Sequence, residues 1–90
     1  MRYQIRRSTQ FKRDVKRAIK RGKDIEQLFF VVKELAEDRR LAAHYQDHPL
    51  KGQYKDKRDC HLDPDWILIY AVLNNELVLY RTGSHADLFR

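Results

Sequence analysis

The sequence predicts an α+β fold: a small, antiparallel-rich sheet of about four strands with two N-terminal helices packed on one of its faces. Three observations carry that expectation. Apolar residues recur every three or four positions from Phe11 to Ala36, and after Arg40 they give way to short apolar runs of strand length. Arg21-Gly22-Lys23-Asp24 interrupts the helical stretch with a glycine stop and a new cap, so it holds two helices whose short connection makes them an antiparallel pair. The chain has 90 residues, room for a single domain over 1–90.

The elements follow in order. Tyr3 and Ile5 alternate within RYQIRR (2–7), which suits a short first strand. Ser8 and Thr9 offer N-cap hydroxyls ahead of Phe11, Val15, Ala18 and Ile19, the apolar side of the first helix. Ile25, Leu28, Phe29, Val32, Leu35 and Ala36 mark a second helix that runs to about Asp38. Leu41 to Leu50 has no sustained pattern, contains His48-Pro49, and reads as a loop. A strand lies within 53–62, and Asp63-Pro64-Asp65 turns the chain. Trp66 to Leu73 (WILIYAVL) is apolar on both alternating faces, as a central strand covered on both sides must be. Asn74-Asn75 suits a tight hairpin turn, because Asn tolerates positive φ. Glu76 to Thr82 is the last strand; Gly83 breaks it and leaves at most one helical turn at the C-terminus. The predicted order is β-α-α-β-β-β, with the sheet face opposite the helices free to gather polar side chains.

Charge is distributed unevenly. The formal net charge is +6, yet residues 1–23 alone hold ten Lys/Arg against a single acid, Asp14. Such a segment, with Lys12, Lys16 and Lys20 on the outer surface of the first helix, predicts a polyanion or an acidic protein segment as partner. No apolar run approaches the roughly 20 residues of a membrane span, and MRYQIRRSTQ lacks a signal-peptide core, so a cytoplasmic protein is expected.

The second half carries polar residues that the fold does not require: His48, His61, Asp65, Arg81 and His85, with Trp66 and Phe89 beside them. Zinc is the first chemistry to test. His48, Cys60, His61 and His85 are potential ligands, but adjacent strand residues point to opposite faces, and no His-x-x-x-His or Cys-x-x-Cys spacing occurs. Neither a metal nor a cofactor is expected. Cys60, the only cysteine, has no activating neighbours and reads as a small buried residue. Metal-free phosphodiester cleavage fits better. It needs a base for a ribose 2′-hydroxyl, a cation for the charge at phosphorus and an acid for the leaving 5′-oxygen. Histidine serves at either end because its reference pKa is about 6.5, and arginine, planar and always charged, suits the middle. Phe89 offers a face for base stacking.

The segment DHPLKGQYKDKRDCHLDPDWILIY (47–70), followed by RTGSHADLF (81–89), resembles the YafQ-type branch of the RelE/ParE toxin superfamily over essentially the whole chain. Members of that branch carry Asp-His-Pro-Leu, then Arg-Asp-x-His-x-x-Pro-Asp-Trp, then Arg-x-Gly-x-His, and all three occur here in order. The resemblance implies a RelE-like fold and a toxin of a type II toxin–antitoxin pair that acts as a ribosome-dependent mRNA endonuclease. It assigns His85 the general acid, Arg81 the phosphate charge, and His48, His61 and Asp65 the supply or support of the base. Phe89 and Trp66 join Lys12, Lys16 and Lys20 as substrate-binding residues, Trp66 by buttressing the site. The implied partners are mRNA on the ribosome, ribosomal RNA and an antitoxin with an acidic segment. A non-catalytic RNA- or DNA-binding module is the alternative, with structural histidines and only the basic helix at work.

Overall fold

Local chemistry places the helix ends where the sequence reading puts them. The Ser8 hydroxyl accepts from the Phe11 N–H at 2.9 Å, and Asp24 accepts from the Gln27 N–H at 3.3 Å. Gly22, at φ +77°, lets the N–H groups of Gly22 and Lys23 fold back onto the carbonyls of Ile19 and Ala18. The computed structural model describes residues 2–89. In chain order they form β1 (Gln4–Arg7), α1 (Thr9–Lys20), α2 (Ile25–Ala36), a 3-10 turn at Ala43–Tyr45, β2 (His48–Pro49), a second 3-10 turn at Gly52–Tyr54, β3 (Arg58–Asp63), β4 (Trp66–Leu73), β5 (Glu76–Gly83) and α3 (His85–Phe89). None of the described helices is long and apolar enough to cross a membrane.

The sheet has five strands rather than about four, in the order β1-β5-β4-β3-β2, and it is mixed because β1 runs parallel to β5. Two local readings change with it. The segment 41–50 is not all loop: its end is a two-residue edge strand, held because Asp47 accepts from Arg58 Nε at 3.0 Å and from the Tyr70 hydroxyl at 2.6 Å. The third strand, expected within 53–62, runs over Arg58–Asp63, because Gly52 (φ +66°) and Asp56 (φ +70°) bend the chain first. Asn74 and Asn75 both have positive φ, as the two-residue hairpin between β4 and β5 demands.

β4 is covered on both faces. Trp66, Leu68 and Tyr70 pack with Phe11, Leu28, Val31 and Leu35 of the helices, whereas Ile67 and Ile69 pack with Tyr54 and Leu88 on the other side. A β-bulge decides what that second face carries. Tyr70 pairs with Leu79 but Ile69 pairs with Arg81, so Tyr80 is the extra residue. Simple alternation puts Arg81 with Leu77 and Leu79; the bulge instead puts it in register with Ile69, on the face away from the helices.

Candidate active site

Pairing across the sheet aligns the polar residues in two rows. The first is His48 (β2), Asp59 (β3), Ile69 (β4) and Arg81 (β5); the second is His61, Ile67 and Gly83, two residues before His85. Strands lie about 4.8 Å apart, so the backbones at His61 and Gly83 are separated by roughly 10 Å.

At one end, His48 Nε2 lies 3.0 Å from Asp59 Oδ1 and its Nδ1 lies 3.1 Å from the Pro49 carbonyl oxygen. The His48 ring thus lies between the Pro49 carbonyl and the Asp59 carboxylate, an ion pair only when the ring is protonated, and Asp59 Oδ1 accepts no hydrogen bond among the described residues. The His61 ring sits 6.4 Å from the His48 ring, centroid to centroid, and the described residues give it no hydrogen bond. Asp59 is 2% exposed; burial raises its pKa, against the lowering influence of His48, His61 and His85. His48, Asp59 and His61 bring their donor atoms within 4.8 Å of one another, an imidazole–carboxylate set able to hold a divalent cation. The sequence search for metal spacing passed over this trio because the fold, not the chain, makes Asp59 adjacent to His48. Cys60 points to the opposite face and is fully buried, and its thiol pKa is pushed well up by that burial, so no thiolate is available.

At the other end, α3 presents His85 and Phe89 with ring centroids 4.9 Å apart. Short as it is, α3 is fixed by a reciprocal cap: Asp87 accepts from the Ser84 N–H at 2.9 Å, and the Asp87 N–H donates to the Ser84 hydroxyl at 3.1 Å. Asp65 also accepts from the His85 backbone N–H at 3.1 Å, so its carboxylate holds the helix start. Tyr54, which the sequence reading did not single out, donates to the Leu88 carbonyl at 3.0 Å and meets Phe89 edge-on at 5.6 Å. A methyl at Gly83 would approach Asp87 Oδ2 to 2.9 Å, which explains the glycine of the RTGSH segment.

Arg21 reaches from α1 to Asp87 at 2.7 Å and, with the Ser84 N–H, holds the Asp87 carboxyl well below the usual carboxylate range. A depressed folded pKa contributes stability above the unfolded value of about 3.9 and loses it as pH falls through the folded one. Asp87→Asn is therefore expected to melt below the wild type at pH 7, with the gap narrowing steadily below pH 4. Identical melting temperatures at pH 7 would show that this link holds nothing.

Four of the anticipated substrate-binding residues, Trp66, Lys12, Lys16 and Lys20, lie outside the two rows. Trp66 is 1% exposed and belongs to the helix-side core, so burial keeps it from touching RNA directly. Lys12 and Lys16 line a groove of ≈ 570 Å³ between α1, α2 and β1. At about 100° per residue, they and Lys20 project away from Asp14, the α1 residue that touches β5. Arg17 of α1 and Arg21 just after it line a smaller hollow with Asp65 and Ser84, next to His85 in the chain.

Residues 3–90 match the family model of the bacterial toxin of type II toxin–antitoxin systems, YafQ. The mRNA interferase toxin YafQ of Escherichia coli K12 is 46% identical over 86 residues, 94% of each chain. The crystal structure of the E. coli DinJ–YafQ complex superposes with a TM-score of 0.90 at 45% identity, covering 98% of this chain and 99% of the other. A metal-bound toxin from Helicobacter pylori gives 0.91 at 46% identity, covering 97% and 99%.

Proposed function

The chain belongs to the YafQ family of bacterial type II toxins, and we infer from that membership and from the site that it is an mRNA interferase, an endoribonuclease that cuts messages on the ribosome without a metal. The observation that supports the mechanism is the placement, on the sheet face opposite α1 and α2, of His61 at one end of a row and His85 just beyond the other, with Arg81 in the adjacent row. His61 removes the 2′-hydroxyl proton: its ring makes no hydrogen bond among the described residues, whereas the His48 ring lies against the Asp59 carboxylate and the Pro49 carbonyl. His48 and Asp59 orient and polarise it as a pair. The attacking oxygen forms its bond to phosphorus as the bond to the 5′-oxygen breaks, and His85 supplies the proton that the leaving oxygen needs. Arg81 meets the charge on the non-bridging oxygens. Phe89 stacks on a base beside His85, and Asp65 keeps α3 in place. The products are a 2′,3′-cyclic phosphate and a 5′-hydroxyl.

A cation on the His48–Asp59–His61 trio would consume the lone pair that His61 uses as base, so the reaction assigns no metal a catalytic part. The enzyme acts in the cytoplasm, where the exposed lysines of α1 face ribosomal RNA. The cognate antitoxin lays an acidic, amphipathic segment into the groove whose floor includes Phe11, Leu28 and Phe29 and whose rim carries Arg7, Lys12 and Lys16.

The site holds no strong base, and productive in-line geometry depends on how the message is presented. Cleavage of a defined message is therefore expected to be fast with purified ribosomes and slow without them, with products that carry the ends given above, and the slow cleavage of free message is expected to be unaffected by EDTA. Equal rates on free and ribosome-bound message would refute the ribosome dependence, and 3′-hydroxyl products would refute the mechanism.

A further inference from the structure

The single acid of the basic N-terminal segment is buried. Asp14, 2% exposed, accepts five hydrogen bonds: from Gln10 Nε2 (3.1 Å), Arg17 Nη2 (3.2 Å) and Arg81 Nη2 (3.2 Å) at Oδ1, and from Arg81 Nε (2.7 Å) and the Thr82 N–H (3.1 Å) at Oδ2. The position follows from the topology. β1 ends its pairing at Arg7 opposite Leu79, so β5 loses that neighbour where the bulge begins. Ser8 and α1 take over the exposed edge: the Ser8 hydroxyl donates to the Tyr80 carbonyl at 2.8 Å, and Asp14 accepts the Thr82 N–H that would otherwise be unpaired.

We propose that Asp14 is a positioning residue for RNA cleavage, setting the orientation from which Arg81 meets the scissile phosphate. The proposal rests on the phosphate role given to Arg81 above. Arginine is long and flexible, and a guanidinium on a strand would ordinarily sample many rotamers. Here Asp14 takes the Nε–Nη2 edge of the fork, while its second bond to Thr82 fixes the backbone on which Arg81 stands. The remaining Nη1 has no carboxylate partner among the described residues and is the end left for a phosphate oxygen. The Tyr54 hydroxyl also lies close to the Arg81 guanidinium, and a planar cation held along one edge by a carboxylate is pre-oriented for charge that appears only in the transition state.

A carboxylate that merely completes the core would produce the same contacts, so the test must separate the two roles. Cleavage of ribosome-bound message is measured for Asp14→Asn, Arg81→Ala and the double variant, with melting temperatures for each. Acting through Arg81, Asp14→Asn lowers kcat by about 10²-fold without raising KM, and costs nothing further in the Arg81→Ala background. A kcat within twofold of wild type, or an equal loss with and without Arg81, overturns the proposal. Arg81→Ala at wild-type rate would instead sink the site itself, a separate outcome. If Asp14→Asn does not fold, Asp14→Glu, which keeps the charge but displaces the carboxylate, takes its place: a lowered kcat with unchanged KM that vanishes in the Arg81→Ala background is expected, and a wild-type kcat overturns the proposal.

Discussion

His85→Ala is expected to slow message cleavage by about 10²- to 10⁴-fold, the usual contribution of a positioned general acid, and to abolish growth arrest when the toxin is expressed alone. The fold should survive. His85 is exposed, its α3 helix is held by its own Ser84–Asp87 cap, and Asp65 grips the backbone N–H rather than the ring. The variant keeps all three of those bonds, so its melting temperature should move by only a few degrees and it should still bind its antitoxin. That combination, a folded and neutralisable protein without toxicity, separates an enzyme from a basic binding module. In a binding module the lysines of α1 would decide the outcome, and a single imidazole on α3 would be dispensable. Full toxicity of a well-accumulated His85→Ala variant would remove the general acid from the mechanism.

Trp66→Ala should have the largest effect on stability of any single change. Trp66 opens β4 with its indole sealed against the helices, and truncating a buried tryptophan costs about 3–5 kcal/mol. A chain of this size has only about 5–10 kcal/mol in hand, so the variant should be largely unfolded at 37 °C or lost to proteolysis. Trp66→Phe, which keeps an aromatic ring in the cavity, should fold and cleave at close to the wild-type rate. Circular dichroism melts beside the cleavage assay distinguish this from direct stacking on RNA, which would give a stable, inactive Trp66→Ala protein.

Much of the fold was readable from residues with strong local preferences. Ser8, Asp24 and Gly22 mark helix ends, Asn74-Asn75 marks a hairpin, and the unbroken apolar run of β4 announces a strand covered on both faces. What escaped was tertiary. β2 is two residues long and leaves no periodic trace, and the parallel pairing of β1 with β5 depends on where the helices return the chain. Alternation assigned Arg81 to the wrong face because one extra residue, Tyr80, resets the register.

The candidate site divides along the same line. His48, His61, Arg81, His85 and Phe89 stood out by type and motif, yet three supporting groups did not. Asp59 lies within the Arg-Asp-x-His motif without a role of its own in the sequence reading, and strand pairing sets it beside His48. Tyr54 looked like part of a strand, and it anchors α3. Asp14 did leave a signal, as the lone carboxylate among ten cations in residues 1–23. A helix that needs cations for its partner keeps an acid only where something specific requires one.

The mechanism requires His85 to deliver a proton to the leaving 5′-oxygen, and one substitution in the substrate tests that step directly. A message with sulfur in place of the bridging 5′-oxygen at the cleaved position has a leaving group that departs without protonation. On ribosomes programmed with that message, His85→Ala should cut at nearly the wild-type rate, while Arg81→Ala remains slow. If His85→Ala is as impaired on the sulfur substrate as on the natural one, His85 is not the acid and the mechanism is wrong.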